Sequence, residues 1–145
     1  MTGNTHTGPV APGKGLLKVI SILGLVSCGI GCLILMVIVM IGEEIDIGLS
    51  TPYLLWILAD CCYDVYISVM GLVHCAELEK ASFLKRLGII ALVLVFIGAI
   101  VDVCHGISTL AVLTMLPISL AFVVLYIAGA SKNQKAFETQ MSSVS

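Results

Sequence analysis

The stretch that decides the fold is the apolar run LGIIALVLVFIGAIVDVCHGISTLAVLTMLPISLAFVVLYIAGA, residues 87–130. As a single helix it would be about 65 Å long at ~1.5 Å per residue, roughly twice the ~30 Å hydrocarbon thickness of a bilayer. The run must therefore fold back on itself. The turn is predicted at 104–109, where Gly106 can end one helix and Ser108 can cap the next. We therefore predict two membrane spans here, at about 85–105 and 108–130.

Two further apolar runs, at about 16–41 and 52–75, bring the predicted number of spans to four, since each reaches the roughly 20 residues that a membrane helix needs. Of the 145 residues, 59% are hydrophobic and only 11% are charged, and the mean hydropathy is +1.15. A soluble domain has about 25% charged residues, so this chain has too little polar surface to fold in water. The predicted fold class is an all-α integral membrane protein, with four transmembrane helices in a compact antiparallel bundle.

All seven basic residues fall on one side of the membrane in this topology. They are Lys14, Lys18, Lys80, Lys85, Arg86, Lys132 and Lys135. Because Lys and Arg near span ends resist translocation, the pattern places the N- and C-termini in the cytoplasm. The first outer loop is purely acidic, with Glu43, Glu44 and Asp46, which excludes nucleic-acid binding on that side.

The chain divides into a transmembrane domain at 15–131 and two cytoplasmic tails. Residues 1–14 are rich in Gly, Thr and Pro and are predicted to be disordered, and 132–145 are polar and are predicted to be flexible. Within the membrane, small residues let helices approach closely. We therefore predict helix-packing positions at Gly24 and Gly31 on the first span and at Gly88 and Gly98 on the third.

Ionisable residues inside the predicted spans are the sharpest functional signal. Asp60 and Asp64 are one helical turn apart on the second span, and Asp102 and His105 are three residues apart on the third. Antiparallel packing would bring the four groups to overlapping depths in the outer half of the membrane. Membrane-insertion scales assign a central Asp about 2.5–3.5 kcal/mol, and no Lys or Arg lies in the interior of a span to neutralise these acids.

Three interpretations of these groups remain open. The acids can line a hydrated path for protons or small cations, which is the usual role of carboxylates inside membranes. Together with His105 they can bind a divalent metal. Alternatively, some are protonated and hydrogen-bond to Ser68, Tyr63, Tyr66 or the backbone, and so hold the helices together. His105, at the edge of the lipid, also fits an interfacial residue.

The six cysteines lie within the spans or at their ends, and none lies in an outer loop where an oxidising compartment would pair them. They are Cys28, Cys32, Cys61, Cys62, Cys75 and Cys104. The i,i+4 spacing of Cys28 and Cys32, with other cysteines on other spans, allows a thiolate metal site. However, there is no CxxC motif, and thiolates form unfavourably in lipid. We therefore predict packing residues, with no metal site and no cofactor.

The chain resembles the small four-span membrane proteins of Gram-positive, clostridial-type bacteria. The resemblance lies in the segments GKGLLKV at 13–19, EKA at 79–81, PI at 117–118 and LYIAGASKN at 125–133. It implies a multi-pass protein of the bacterial cytoplasmic membrane and supplies no activity.

No GxSxG, HExxH, P-loop or GxGxxG motif occurs, and the loops are too short to build a cleft, so we predict a non-enzymatic protein. The leading hypothesis is proton or small-cation movement through Asp60, Asp64 and Asp102, in a homo-oligomer or with a larger membrane protein. The alternative is an accessory protein, such as a scaffold, chaperone or immunity-type partner, in which the acids pack helices or bind a partner. In both cases the lipid bilayer surrounds the chain.

Overall fold

The computed structural model describes residues 11–45 and 50–144, and over those residues the chain is almost entirely helical. In chain order the helices are α1 (Lys14–Ile45), α2 (Thr51–His74), α3 (Ala81–Cys104) and α4 (Thr109–Val144), with a short 3-10 helix at Leu78–Lys80 before α3. Each α-helix contains a stretch long and apolar enough to cross a membrane. The prediction of an all-α chain with four candidate membrane spans is therefore confirmed.

The predicted turn in the long apolar run lies between α3 and α4. Gly106 adopts a left-handed backbone conformation with φ of 85°, which ends α3 without the steric cost that a side chain would bring. The Gly106 N–H donates to the Val103 carbonyl at 3.1 Å, and the Ile107 N–H donates to the Asp102 carbonyl at 3.0 Å. This pair of bonds is a Schellman motif, so the last turn of α3 is closed by its own backbone.

The first two helices begin and end close to the predicted spans. α1 continues to Ile45, a few residues beyond the predicted end, and its last turns include Glu43 and Glu44. Asp46 of the predicted acidic loop, and residues 1–10 of the predicted N-terminal tail, lie outside the described residues. α2 begins after Ser50, which has an extended backbone, and Pro52 lies in the first turn, where its missing N–H is tolerated.

α4 is longer than the predicted span at 108–130, because it continues through the predicted flexible tail to Val144. The extension is held at its first turn by Asn133, which is fully buried. Its Nδ2 donates to the Cys75 carbonyl at 3.0 Å, and its Oδ1 accepts from the Gly13 N–H at 2.6 Å. These two bonds attach the helical extension to the start of α1 and to the residue that follows α2. Because Asn133 is polar, it does not continue the apolar pattern of the span, and the sequence pattern therefore did not predict this anchoring.

Each helix contacts the next in chain order, and α4 also contacts α1, so the four helices form a closed ring. The end of this ring that contains Gly13, Cys75 and Asn133 is called the closed end here, because most buried side chains lie near it. The apolar core is formed by Leu17, Ile20, Ile67, Cys75, Leu84, Leu87, Ala91, Tyr126 and Ala130. The opposite end, where α2 begins and α3 ends, is called the open end.

Large apolar side chains cover the outside of the ring along its length. Leu33 and Met36 on α1, Leu58 on α2, Ile100 on α3 and Leu113 on α4 are all exposed. A continuous apolar surface of this extent would cause aggregation in water, whereas lipid solvates it. The exposed surface therefore agrees with the membrane spans that helix length and composition indicate.

Candidate functional site

A partly open cavity of about 450 Å³ lies between the four helices, from the middle of the ring toward the open end. Ile20, Ser21 and Tyr126 form its floor, next to the apolar core, and its lining reaches Asp102 and Val112 near the open end. All four helices contribute side chains to the lining, so the cavity belongs to the tertiary structure and not to any one helix.

The three intramembrane carboxyls predicted from the sequence all line this cavity. Asp60 and Asp64 come from α2, and Asp102 comes from α3. Among the residues that the structure describes, no Lys or Arg belongs to the lining. The cavity is therefore an acidic compartment without an internal counter-charge, an arrangement that favours a proton or a cation.

Asp60 and Asp64 are available for binding. They lie on one face of α2, separated by a rise of about 6 Å at ~1.5 Å per residue. Asp60 is half-buried and Asp64 is exposed to the cavity. Among the described residues, neither carboxyl has a hydrogen-bond or ion-pair partner. The hydroxyl of nearby Tyr63 donates to the Leu87 carbonyl at 2.8 Å, so it is not used to hold either acid.

Asp102 has a hydrogen-bond partner that the sequence pattern did not predict. The Tyr53 hydroxyl, at the start of α2, donates to Asp102 Oδ1 at 2.8 Å across to the end of α3. Tyr53 itself is buried. The sequence positions of the two residues could have indicated this contact, because α2 begins at the same end of the ring at which α3 ends. Asp102 therefore combines a place in the cavity lining with a bond between two helices.

His105 lies outside the cavity lining, apart from the acids with which it was grouped. Its ring stacks on that of Tyr53, with centroids 4.6 Å apart and an interplanar angle of 18°. Its Nδ1 lies 2.9 Å from the Val101 carbonyl, and since a carbonyl only accepts, Nδ1 carries the hydrogen. The contacts of His105 are therefore those of a residue that supports Tyr53.

The four glycines predicted to pack helices fall into two pairs. A Cβ atom at Gly24 would lie 2.5 Å from Ser68 Oγ, and one at Gly88 would lie 2.6 Å from Ile127 Cγ1. At these two positions the missing side chain allows a close helix contact. Gly31 and Gly98 differ from the prediction, because a Cβ atom there would meet nothing within 4 Å. Both line the cavity, where their small size leaves space open instead of bringing helices together.

The Ser21 side chain at the cavity floor is polar and has no partner. Its hydroxyl is the one buried side-chain polar atom among the described residues without a hydrogen bond, and the residue is 1% exposed. A buried hydroxyl left unpaired costs about 1–3 kcal/mol, so a polar species at the floor of the cavity would be stabilised there. Nothing in the helical pattern of α1 distinguished this serine.

Three cysteines that the sequence analysis interpreted as packing residues come together at the wall between α1 and α2. The Sγ atoms of Cys28, Cys32 and Cys61 all lie within 4.8 Å of one another. Cys28 Sγ–H also donates to the Cys61 carbonyl at 3.6 Å. The spacing encodes their similar depth, because Cys28 lies fourteen residues after the start of α1 and Cys61 lies thirteen residues before the end of α2.

In comparisons with known proteins, no family model matches the chain, and neither a curated protein nor a solved structure matches it.

Proposed function

We propose that this protein is a four-span membrane protein that moves protons or small cations through the carboxylate-lined cavity. The observation that carries the proposal is that Asp60, Asp64 and Asp102, from two helices, line one cavity, with no Lys or Arg among the described residues of its lining. Acids inside a membrane are costly, and those that face an internal cavity typically mark a path for ions or protons.

The proposed orientation has both termini and the closed end in the cytoplasm, in the cytoplasmic membrane of a bacterium. Every basic residue of the chain lies in or beside a segment at the closed end. The positive-inside rule assigns that end to the cytoplasmic side. In this orientation the cavity faces the outer side, so Asp60 and Asp64 take their proton or cation from there.

Asp60 and Asp64 are the proposed binding groups, because neither carboxyl has a partner within the described parts of the chain. Two carboxyls about one helical turn apart can share one proton or hold one cation, which lowers the cost of their like charges. Asp102 is assigned a lesser part, since it already accepts the Tyr53 hydrogen bond. His105 supports that tyrosine and is not assigned a binding role.

Passage to the cytoplasm requires the floor of the cavity to open. The floor is closed on α4 by Tyr126, whose hydroxyl donates to the Ile67 carbonyl at 3.3 Å, a long bond. Pro117 lies in α4 between the open end and this contact, and its missing N–H removes one helical hydrogen bond. We propose that α4 bends at Pro117, so that Tyr126 moves and the buried Ser21 hydroxyl becomes the next polar group on the path.

Flux across liposomes tests the proposal. The full chain is reconstituted and proton, Na⁺ and K⁺ fluxes are measured for the wild type and the double variant Asp60→Asn/Asp64→Asn. Glu79→Gln is the matched control, because Glu79 is an exposed acid at the closed end. We expect at least tenfold lower flux in the double variant and unchanged flux in the control. Wild-type flux equal to that of empty liposomes would refute the proposal.

The accessory-protein alternative is favoured by one specific contact. The Tyr53–Asp102 hydrogen bond uses an intramembrane acid to join α2 to α3, which is the packing role that the alternative assigns to such groups. Under that alternative, the unpartnered Asp64 would bind a basic residue of a larger membrane protein. In that case, a partner protein would copurify with the wild type and not with Asp60→Asn/Asp64→Asn, and the substitutions would change no flux. The predicted homo-oligomer stays a prediction, since the cavity described here lies within one chain.

A further inference from the structure

The cluster of three thiols lies on the cavity wall at mid-depth, where α1 and α2 are in contact. Cys28 and Cys32 are one helical turn apart on α1, and Cys61 faces them from α2. Cys28 is buried, Cys61 is half-buried and Cys32 is exposed on the outside of the ring. Cys28 and Cys61 also line the cavity, so the cluster can be reached from it.

The sulfur positions need little change to bind one metal ion. With metal–sulfur bonds of about 2.3 Å, the sulfurs of a thiolate site lie about 4 Å apart. The three Sγ atoms are already within 4.8 Å of one another, so a contraction of less than about 1 Å completes the site. Rotation of the side chains supplies a movement of this size without displacing either helix.

The ligand set favours a soft cation with a low coordination number. Thiolate sulfur is a soft ligand that selects copper(I), zinc and iron–sulfur clusters over hard cations. Structural zinc sites are almost always closed by four protein ligands. Among the described residues, the group of mutually close ligands contains three members and no histidine or carboxylate. Three sulfurs and no fourth ligand suit copper(I), which is stable with two or three thiolates.

We propose that Cys28, Cys32 and Cys61 form a binding site for a soft monovalent cation of the copper(I) type. Each thiol that binds as a thiolate releases one proton, and the metal keeps its oxidation state, so no oxidant or reductant is consumed. The protons leave through the cavity, where Asp60 and Asp64 can accept them. The site goes beyond the proposed function, because it requires the three thiols and does not require flux through the carboxylates.

Competition for copper(I) tests the site. The full chain is purified in detergent under anaerobic, reducing conditions, and copper(I) is titrated against a chromogenic copper(I) chelator. Cys62→Ser is the matched control, because Cys62 is the exposed neighbour of Cys61 and does not belong to the cluster. We expect one copper(I) per chain in the wild type and in the control, and at least tenfold weaker binding in Cys32→Ser and Cys61→Ser.

A footprint on the wild-type protein gives a second measurement that does not depend on folding of a variant. Bound copper(I) should protect the exposed Cys32 and the half-buried Cys61 from alkylation, while the exposed Cys62 and Cys104 react at unchanged rates. Absence of stoichiometric binding, equal binding by the cluster variants and the control, or tighter binding of zinc(II) than of copper(I) would overturn the assignment.

The two proposals fail separately. Asp60→Asn/Asp64→Asn should keep its copper(I) site, and Cys32→Ser should keep the wild-type proton flux. Loss of copper(I) binding in the acid variant would show that the thiols alone do not form the site, whatever the flux measurements give. Absence of wild-type flux, with copper(I) bound to the thiols, would refute only the proposed transport.

Discussion

Replacing Asn133 with leucine should destabilise the closed end, because two buried backbone groups would lose a hydrogen-bond partner together. The fully buried amide joins the Gly13 N–H to the Cys75 carbonyl. One buried polar group without a partner costs about 1–3 kcal/mol, so the pair costs about 2–6 kcal/mol. The additional apolar burial of leucine returns about 1 kcal/mol. We therefore expect the free energy of unfolding to fall by about 3 kcal/mol.

The assay is reversible unfolding in mixed micelles, by titration with a denaturing detergent and detection by circular dichroism. Lys132→Leu is the control, since Lys132 is the exposed neighbour on the same helix, where a substitution changes stability by about 0.5 kcal/mol or less. Hydrogen exchange should also become faster in residues 134–144 of the Asn133→Leu variant. Equal losses in the variant and the control would refute the role given to these bonds.

Two further predictions use the same titration. Tyr53→Phe should lower the free energy of unfolding by about 1–2 kcal/mol, because it removes the hydrogen bond to Asp102, whereas Asp102→Asn keeps an acceptor oxygen and should lower it less. The reverse order would contradict the assigned contact. Gly88→Ala should cost about 1–3 kcal/mol, since its Cβ would lie 2.6 Å from Ile127 Cγ1. An added Cβ at Gly98 would meet nothing within 4 Å, so Gly98→Ala should leave the free energy of unfolding unchanged or raise it. Equal losses at both glycines would argue against the close α3–α4 contact.

The protein has two chemically different ends, and the difference follows from the distribution of a few polar residues. At the closed end, one buried asparagine satisfies backbone groups from two other segments, and the apolar core lies beside it. Toward the open end, Gly31 and Gly98 have no side chains to fill the space between the helices. The three acids line the cavity that remains there. The core therefore lies near the closed end and the cavity extends toward the open end.

Helix positions were predictable from the sequence because they depend on local properties. Apolar run length sets the number of spans, and Gly106 supplies the one left-handed residue that the turn between α3 and α4 requires. The end of α4 was not predictable in this way. Residues 132–144 are mostly polar, and the start of their helix is anchored by Asn133 through partners more than fifty residues away.

The candidate sites were predictable in part. Spacing indicated that the acids share a depth in the membrane, since depth follows from the rise per residue. It did not indicate that Asp102 accepts a hydrogen bond from Tyr53, while Asp60 and Asp64 have no hydrogen-bond partner among the residues described. The rise per residue also predicts that several cysteines share a similar depth. Which of the six come together depends on which faces of α1 and α2 meet.

By itself, the sequence determined the helical class and the four apolar stretches that are long enough to cross a membrane, and the distribution of its basic residues predicts an orientation. These properties follow from composition and length along one axis, the membrane normal. Only the tertiary structure decided which helix faces meet, and therefore that Asp60, Asp64 and Asp102 share a cavity, that His105 lies outside it, and that three thiols converge. In lipid, close contacts and hydrogen bonds choose the rotation of each helix about its own axis, because every apolar face is solvated equally well.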